Sequence, residues 1–256
     1  MYKRQKRQVS DSKQLVKQLR EMTGAGILDC KKYLIKANND IDKAIKLFRS
    51  EAGIKADKKG SRIAAEGIVN YYQNHDSILL LELNAETDFV ARDANFINLA
   101  ESIAKKLLEN NESDITQEIS NDITSAISKL GENIKLRRYL KIKKNNSVYG
   151  YSHNNKIASL VELKKDNESL AKDICMQIVA SNPLSLDEAS IDSNTLSSEK
   201  EIYKKELEKI DKKEDIKRNI LEGKMKKFIN DNTLINQPFV KDPSTSISKI
   251  IKDNSI

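Results

Sequence analysis

Two stretches of this chain, 80 residues apart, run through the same order of elements. Leu80-Leu81-Glu82-Leu83 returns as Leu160-Val161-Glu162-Leu163. In the first copy, strand-like residues 67–72 and 78–83 flank Asn74-His75-Asp76, a hairpin-turn composition. An amphipathic stripe follows, with Phe96, Leu99, Ala100, Ile103, Ala104 and Leu107 at helical spacing and Asp93 as its cap. In the second copy, residues 147–152 and 157–163 flank His153-Asn154-Asn155, and a helix over 168–180 buries Leu170, Ala171, Ile174, Cys175, Ile178 and Val179. Hairpin turns join antiparallel strands. The pattern predicts an α+β chain with two duplicated α/β subdomains. It also gives both histidines, His75 and His153, the same structural place in a turn.

The rest of the chain divides around this repeat. Upstream, Leu15, Val16, Leu19 and Met22 mark one helix, which Thr23-Gly24-Ala25-Gly26 interrupts. A second helix over 27–37 turns Ile27, Cys30, Tyr33 and Leu34 inward. Asp40 caps a third over 41–50, which buries Ile41, Ala44, Ile45 and Phe48. Residues 11–52 therefore read as a three-helix bundle, preceded by a basic extension over 1–10 and followed by a polar linker over 53–64. The first subdomain takes 65–143, with a further helix over 119–130 and a strand over 134–143. The second takes 144–195 and 223–256, with Gln237-Pro238-Phe239-Val240 extended and a short helix over 245–252. Between these two pieces, residues 196–222 are dense in Lys and Glu, with a thin seam of Ile202, Leu207, Ile210, Ile216, Ile220 and Leu221. That suits an inserted helical hairpin bending at Asp211-Lys212-Lys213.

Most catalytic equipment is missing from the sequence. Two histidines and two distant cysteines, Cys30 and Cys175, give no zinc-ligand spacing and no H-E-x-x-H motif. Gly24-Ala25-Gly26 lacks the third glycine of a dinucleotide fingerprint and follows a helix, not a strand; no P-loop run exists. No apolar run approaches the ~18 residues of a membrane span, and no secretory signal is visible. The expectation is a protein that acts by binding, without metal or cofactor. Charge is uneven: the first 60 residues hold 16 Lys and Arg against 7 Asp and Glu, within a formal net charge of +7. The basic arm of Lys3, Arg4, Lys6 and Arg7 suits RNA, an anionic surface or an acidic protein, or is a solvated tail.

Two dense motifs carry more information. One is Leu19-Arg20-Glu21-Met22-Thr23-Gly24-Ala25-Gly26-Ile27-Leu28-Asp29-Cys30-Lys31-Lys32; the other is Glu82-Leu83-Asn84-Ala85-Glu86-Thr87-Asp88-Phe89-Val90-Ala91. With Leu130-Gly131-Glu132-Asn133-Ile134, Ala180-Ser181-Asn182-Pro183, Gly223-Lys224-Met225-Lys226-Lys227-Phe228 and Gln237-Pro238-Phe239-Val240, the ordered set resembles the elongation factor Ts family. Members of that family are guanine-nucleotide exchange factors of elongation factor Tu. The resemblance implies that the bundle is UBA-like and touches the partner's nucleotide-binding domain through Arg20, Ile27, Leu28 and Lys31. It implies partner contacts at Thr87, Asp88, Phe89 and Val90, with Asp88 and Phe89 entering near the partner's magnesium site. Leu130, Gly131, Gln177, Val240 and Lys241 occupy further family contact positions. Gln177 stands where well-known members carry His. Fuller members continue past the segment matching Pro243-Ser244 with another strand and a C-terminal helix.

The resemblance makes the expected setting a bacterial cytoplasm, or alternatively an organelle matrix. Homodimerisation, partner contact and no role at all stay open for the hairpin. A second functional reading is an RNA- or ribosome-binding protein using the basic N-terminal region. It predicts steeply salt-dependent RNA affinity and no effect on GDP release.

Overall fold

The computed structural model describes residues 2–110, 112–145 and 147–254; the side chains of 1–12, 49, 52–55, 57–58 and 112–114 lie outside that description. The chain forms two compact units, residues 1–143 and 144–256.

Three helices open the first unit: α1 (Tyr2–Thr23), α2 (Ile27–Lys36) and α3 (Ile41–Lys59). Leu19, Cys30, Tyr33, Leu34, Ala44 and Phe48 close a small core, with Tyr33 edge-on to Phe48 at a centroid distance of 5.6 Å. Full burial of each large side chain contributes about 1.5–3 kcal/mol, so the bundle rests on few residues. Two expectations change here. The backbone of the N-terminal extension is helical and continuous with α1, while its basic side chains lie outside the described residues. Most of the expected linker is helix: α3 runs nine residues beyond Ser50, because Ala56 reaches the neighbouring core and α3 packs on α6 (Glu112–Leu130).

The sheet of the first unit has three antiparallel strands in the order β1 (Glu66–Gln73), β2 (Ser77–Ala85), β3 (Lys135–Lys143). At the first hairpin Asn74 Oδ1 accepts the amides of Asp76 and Ser77, which leaves His75 exposed in the turn. Gly67, at φ +153°, faces Asn84, and a Cβ there would fall 2.1 Å from the Leu83 carbonyl oxygen; only glycine permits so close a crossing. Helix α5 (Ala94–Glu109) lays Phe96, Ala100, Ile103, Ala104 and Leu107 against Leu79, Leu81 and Leu83 of β2. Asp93 caps it, accepting the Asn95 amide at 2.7 Å, as its position before the apolar stripe predicts. The carboxyl of Asp93 is held below its usual range, first by the Asn95 side chain and then by that amide.

In the second unit β4 (Ser147–His153) and β5 (Ile157–Leu163) pair through a turn of left-handed Asn154 and Asn155, and α7 (Glu168–Ser181) covers them. The duplication stops there. Among the described residues no third strand joins β4 and β5; β6 (Pro238–Phe239) and β7 (Asp242–Ser246) pair separately, before α10 (Ile247–Asp253). The insertion is larger than expected, with α8 (Ser193–Glu208) and α9 (Glu214–Asn232) meeting at the foreseen bend; α9 runs straight through Gly223. Its seam is thinner than the sequence suggests: Leu207 is buried, but Ile202, Ile210 and Ile216 are exposed. The architecture is α+β, as the repeat implies.

Candidate docking site

The Thr87 turn begins where β2 ends. Its helix, α4 (Asp88–Ala91), has four residues, too short to hold itself, since helix nucleation alone is unfavourable. Thr87 caps it, accepting the Val90 amide through Oγ1 at 3.4 Å. Val90 and Ala91 turn inward onto the core of the first unit. Phe89 points the other way and is 82% exposed. A phenyl ring at a helix entry usually packs inward, so this ring is held out in water against its solvation preference. Asp88 pairs with Arg92 at 3.0 Å, Arg92 largely open to solvent and Asp88 half-buried.

Beneath the turn lies a polar clamp. The amides of Glu86 and Thr87 donate to Glu132 Oε2 at 3.1 and 3.0 Å, and the Thr87 hydroxyl donates to Oε1 at 2.6 Å. In return the Asn133 amide donates to Glu86 Oε1 at 2.6 Å, and Arg62 lies 3.6 Å from that same oxygen. Asn133, buried, also donates from its side chain to the Arg62 carbonyl at 2.7 Å. Leu130 packs on the core, and Gly131, at φ +83°, ends α6 so that Glu132 and Asn133 can turn under the Thr87 loop. Leu130 and Gly131 thus neighbour the turn that carries Phe89. Glu86 and Glu132 were legible inside the quoted motifs, but no periodicity links residues 46 positions apart.

On the bundle, Ile27 is 56% and Leu28 84% exposed, with Met22 and Ile35 also open. Ile27 therefore faces solvent, not the bundle interior; helix α2 begins at this residue, and its inner stripe starts only at Cys30. Arg20 and Lys31 are exposed in the same motif. Lys129 crosses Gly24 at the α1–α2 turn and donates to Asn95 Oδ1 at 2.7 Å, so α6 abuts this turn as well.

In the second unit Val240 and Lys241 are exposed between β6 and β7, Lys241 pairing with Asp173 at 2.6 Å. Gln177 is 1% exposed. Its Oε1 accepts the Val240 amide at 2.7 Å, and its Nε2 donates to Ser181 Oγ at 3.0 Å, Gln237 Oε1 at 3.1 Å and the Pro238 carbonyl at 3.3 Å. The side chain at this family contact position is therefore an interior one that holds Val240. Its spacing from Leu170 and Ile174 puts it on the apolar stripe of α7, a signal that was available in the sequence.

Among the described residues no group of His, Cys, Asp and Glu gathers as a metal site. Burial raises the thiol pKa of both Cys30 and Cys175, which keeps them protonated. No helix among the described residues is long and apolar enough to cross a membrane.

Phe89, Ile27 and Leu28 in the first unit, and Val240 in the second, are apolar side chains held outward. The sequence profile of the family Elongation factor TS matches residues 86–256. The chain is 38% identical over 253 residues to elongation factor Ts of Alkalilimnicola ehrlichii, covering 94% of this chain and 87% of that protein. To elongation factor Ts of Clostridium acetobutylicum it is 42% identical over 260 residues, covering 94% and 85%; to that of Legionella pneumophila (strain Paris), 38% over 254 residues, covering 94% and 87%. The chain belongs to the elongation factor Ts family and so to the translation elongation factors of protein biosynthesis.

Proposed function

We propose that this chain is the guanine-nucleotide exchange factor of elongation factor Tu. The observation that carries this reading is Phe89, 82% exposed on a turn fixed from below. An aromatic ring of this kind becomes a wedge when a partner offers two side chains to part. Parted in that way, the partner's groups coordinate Mg²⁺ poorly, and Asp88 competes for those that remain. The Asp88–Arg92 pair lies at the surface, so trading it on docking costs about 1 kcal/mol at most. Magnesium bridges and neutralises phosphate oxygens, so its loss weakens GDP. Exchange factor and GDP then lower each other's affinity by the same factor, and GTP displaces the factor.

Each tenfold of coupling needs about 1.4 kcal/mol of differential contact. Burying a ring of roughly 150 Å² or more at about 25 cal/mol per Å² supplies two such steps. Ile27 and Leu28 add a second apolar contact on the bundle, and Val240 with Lys241 a contact from the second unit. No covalent bond is made or broken, so the chain acts as a binding factor and not as an enzyme. Its place of work is the bacterial cytoplasm, with its partner.

The test is stopped-flow release of labelled GDP from elongation factor Tu. The native chain should accelerate release; Phe89→Ala and Asp88→Ala should lose much of that acceleration. Failure of the native chain to accelerate release would overturn the exchange reading. Full activity in both variants would overturn the wedge.

A further inference from the structure

Phe89 is exposed, so its own packing does not fix its direction. The four-residue helix that carries it is likewise unable to hold a direction alone. What remains is the inward packing of Val90 and Ala91 and the carboxylate of Glu132, which takes three hydrogen bonds from the two residues preceding α4. A charged acceptor makes stronger bonds than a neutral one. We propose that Glu132 is a positioning residue for nucleotide exchange: it makes no contact with the partner and acts by aiming the Phe89 ring.

The geometry around Glu132 gives the clamp a fixed base. Asn133 ties the same segment to the carbonyl of Arg62 and, through its amide, to Glu86. The preceding Lys129 lies over Gly24 and bonds Asn95 at the start of α5. The end of α6 is therefore registered against the bundle turn, the segment after α3 and the helix following the wedge. A ring aimed from this base needs little ordering when it docks, and pre-ordered groups lose less on binding. Without Glu132 the turn keeps its apolar anchors, but its leading amides lose their acceptors, and the ring samples other directions.

This inference rests on the exchange reading, and the experiment separates the two. GDP release from elongation factor Tu is followed at increasing factor concentration for the native chain, Glu132→Ala, Glu132→Gln, Phe89→Ala and the Phe89→Ala/Glu132→Ala double variant. Glu132→Ala should lower the saturating release rate roughly tenfold, about 1.4 kcal/mol, while the half-saturating concentration moves less than about threefold. A general loss of fold would instead raise the concentration needed. Glu132→Gln keeps an oxygen for the two amides and should recover most of the rate. In the Phe89→Ala background, Glu132→Ala should have almost no further effect, because residues acting through one group are not additive. A native rate in Glu132→Ala overturns the clamp and leaves the exchange reading standing. A full tenfold loss in the Phe89→Ala background also overturns the clamp, because Glu132 then acts elsewhere. No acceleration by the native chain overturns the exchange reading and the clamp with it.

Discussion

Replacing Gln177 by Ala removes the hub of the second unit's interior polar network. The native side chain satisfies the Val240 amide with its oxygen and reaches Ser181, Gln237 and Pro238 with its nitrogen. Gln237 is buried, so its Oε1 loses a donor; a stranded buried group costs about 1–3 kcal/mol. The Val240 amide lies nearer the surface and loses less. Truncation also leaves a hole of about 50 Å³, worth about 1 kcal/mol at ~24 cal/mol per Å³. The sum is about 2–4 kcal/mol, a midpoint lowered by about 4–16 °C at ~2–4 °C per kcal/mol. Calorimetry of Gln177→Ala beside the native chain measures it, with Lys241→Ala as a control. Lys241 makes an exposed ion pair with Asp173, and its loss should cost under about 1 kcal/mol. A native melting profile for Gln177→Ala would refute the interior role, and reduced partner binding with that profile would restore a direct surface contact.

Gly67→Ala should cost at least about 3 kcal/mol, since the Leu83 carbonyl blocks the new methyl and backbone cannot yield as a side chain can. Gly131→Ala meets only Lys59 Nζ, at an ordinary contact distance of 3.9 Å, and should cost only the left-handed backbone term, about 1–2 kcal/mol; urea midpoints compare the two. In an ultraviolet titration, Tyr72, Tyr149 and Tyr203 should ionise near pH 12. Burial causes this for Tyr72, the Asp166 carboxylate that accepts its hydroxyl for Tyr149, and Glu199 in the same way for Tyr203. Their folded pKa values lie above the unfolded value of about 10. The stabilisation is therefore complete below pH ~10 and is lost as pH rises towards 12. Tyr149→Phe should remove one of these late titrations.

Strong periodicity made most elements legible. The stripes of α5 and α7 and both hairpins fall where apolar spacing and turn residues put them. Boundaries failed where the deciding contact is tertiary. Residues 51–59 are mostly polar, yet α3 continues through them because one face, at Ala56, meets the core of the first unit. The boundary expected between 222 and 223 falls inside α9, which carries Gly223 as a helical residue. Among the described residues the β4–β5 sheet has two strands where the first sheet has three, a departure that the repeated motif Leu80–Leu83 did not announce. At the candidate site, Phe89, Leu28 and Val240, which the resemblance gives as contacts, are exposed. Ile27 was given two contrary places by the sequence, inward by spacing and outward by resemblance, and is exposed. Asp88 and Thr87 are both engaged within the chain, one with Arg92 and one with Glu132. The Thr87–Glu132 pairing joins segments distant in sequence, which no local pattern encodes.

The length of α3 changes what the N-terminal bundle is able to do. A polar linker would have made it a float on a leash, searching a large volume before its patch met a target. A 19-residue helix spans about 28 Å at ~1.5 Å per residue, and α3 is seated on α6 at its far end. On the proposed function the bundle is then a lever arm, and Ile27, Leu28 and Phe89 would arrive at the partner as teeth of one key. Once the first tooth engages, the next is already at high local concentration, with no chain left to reel in.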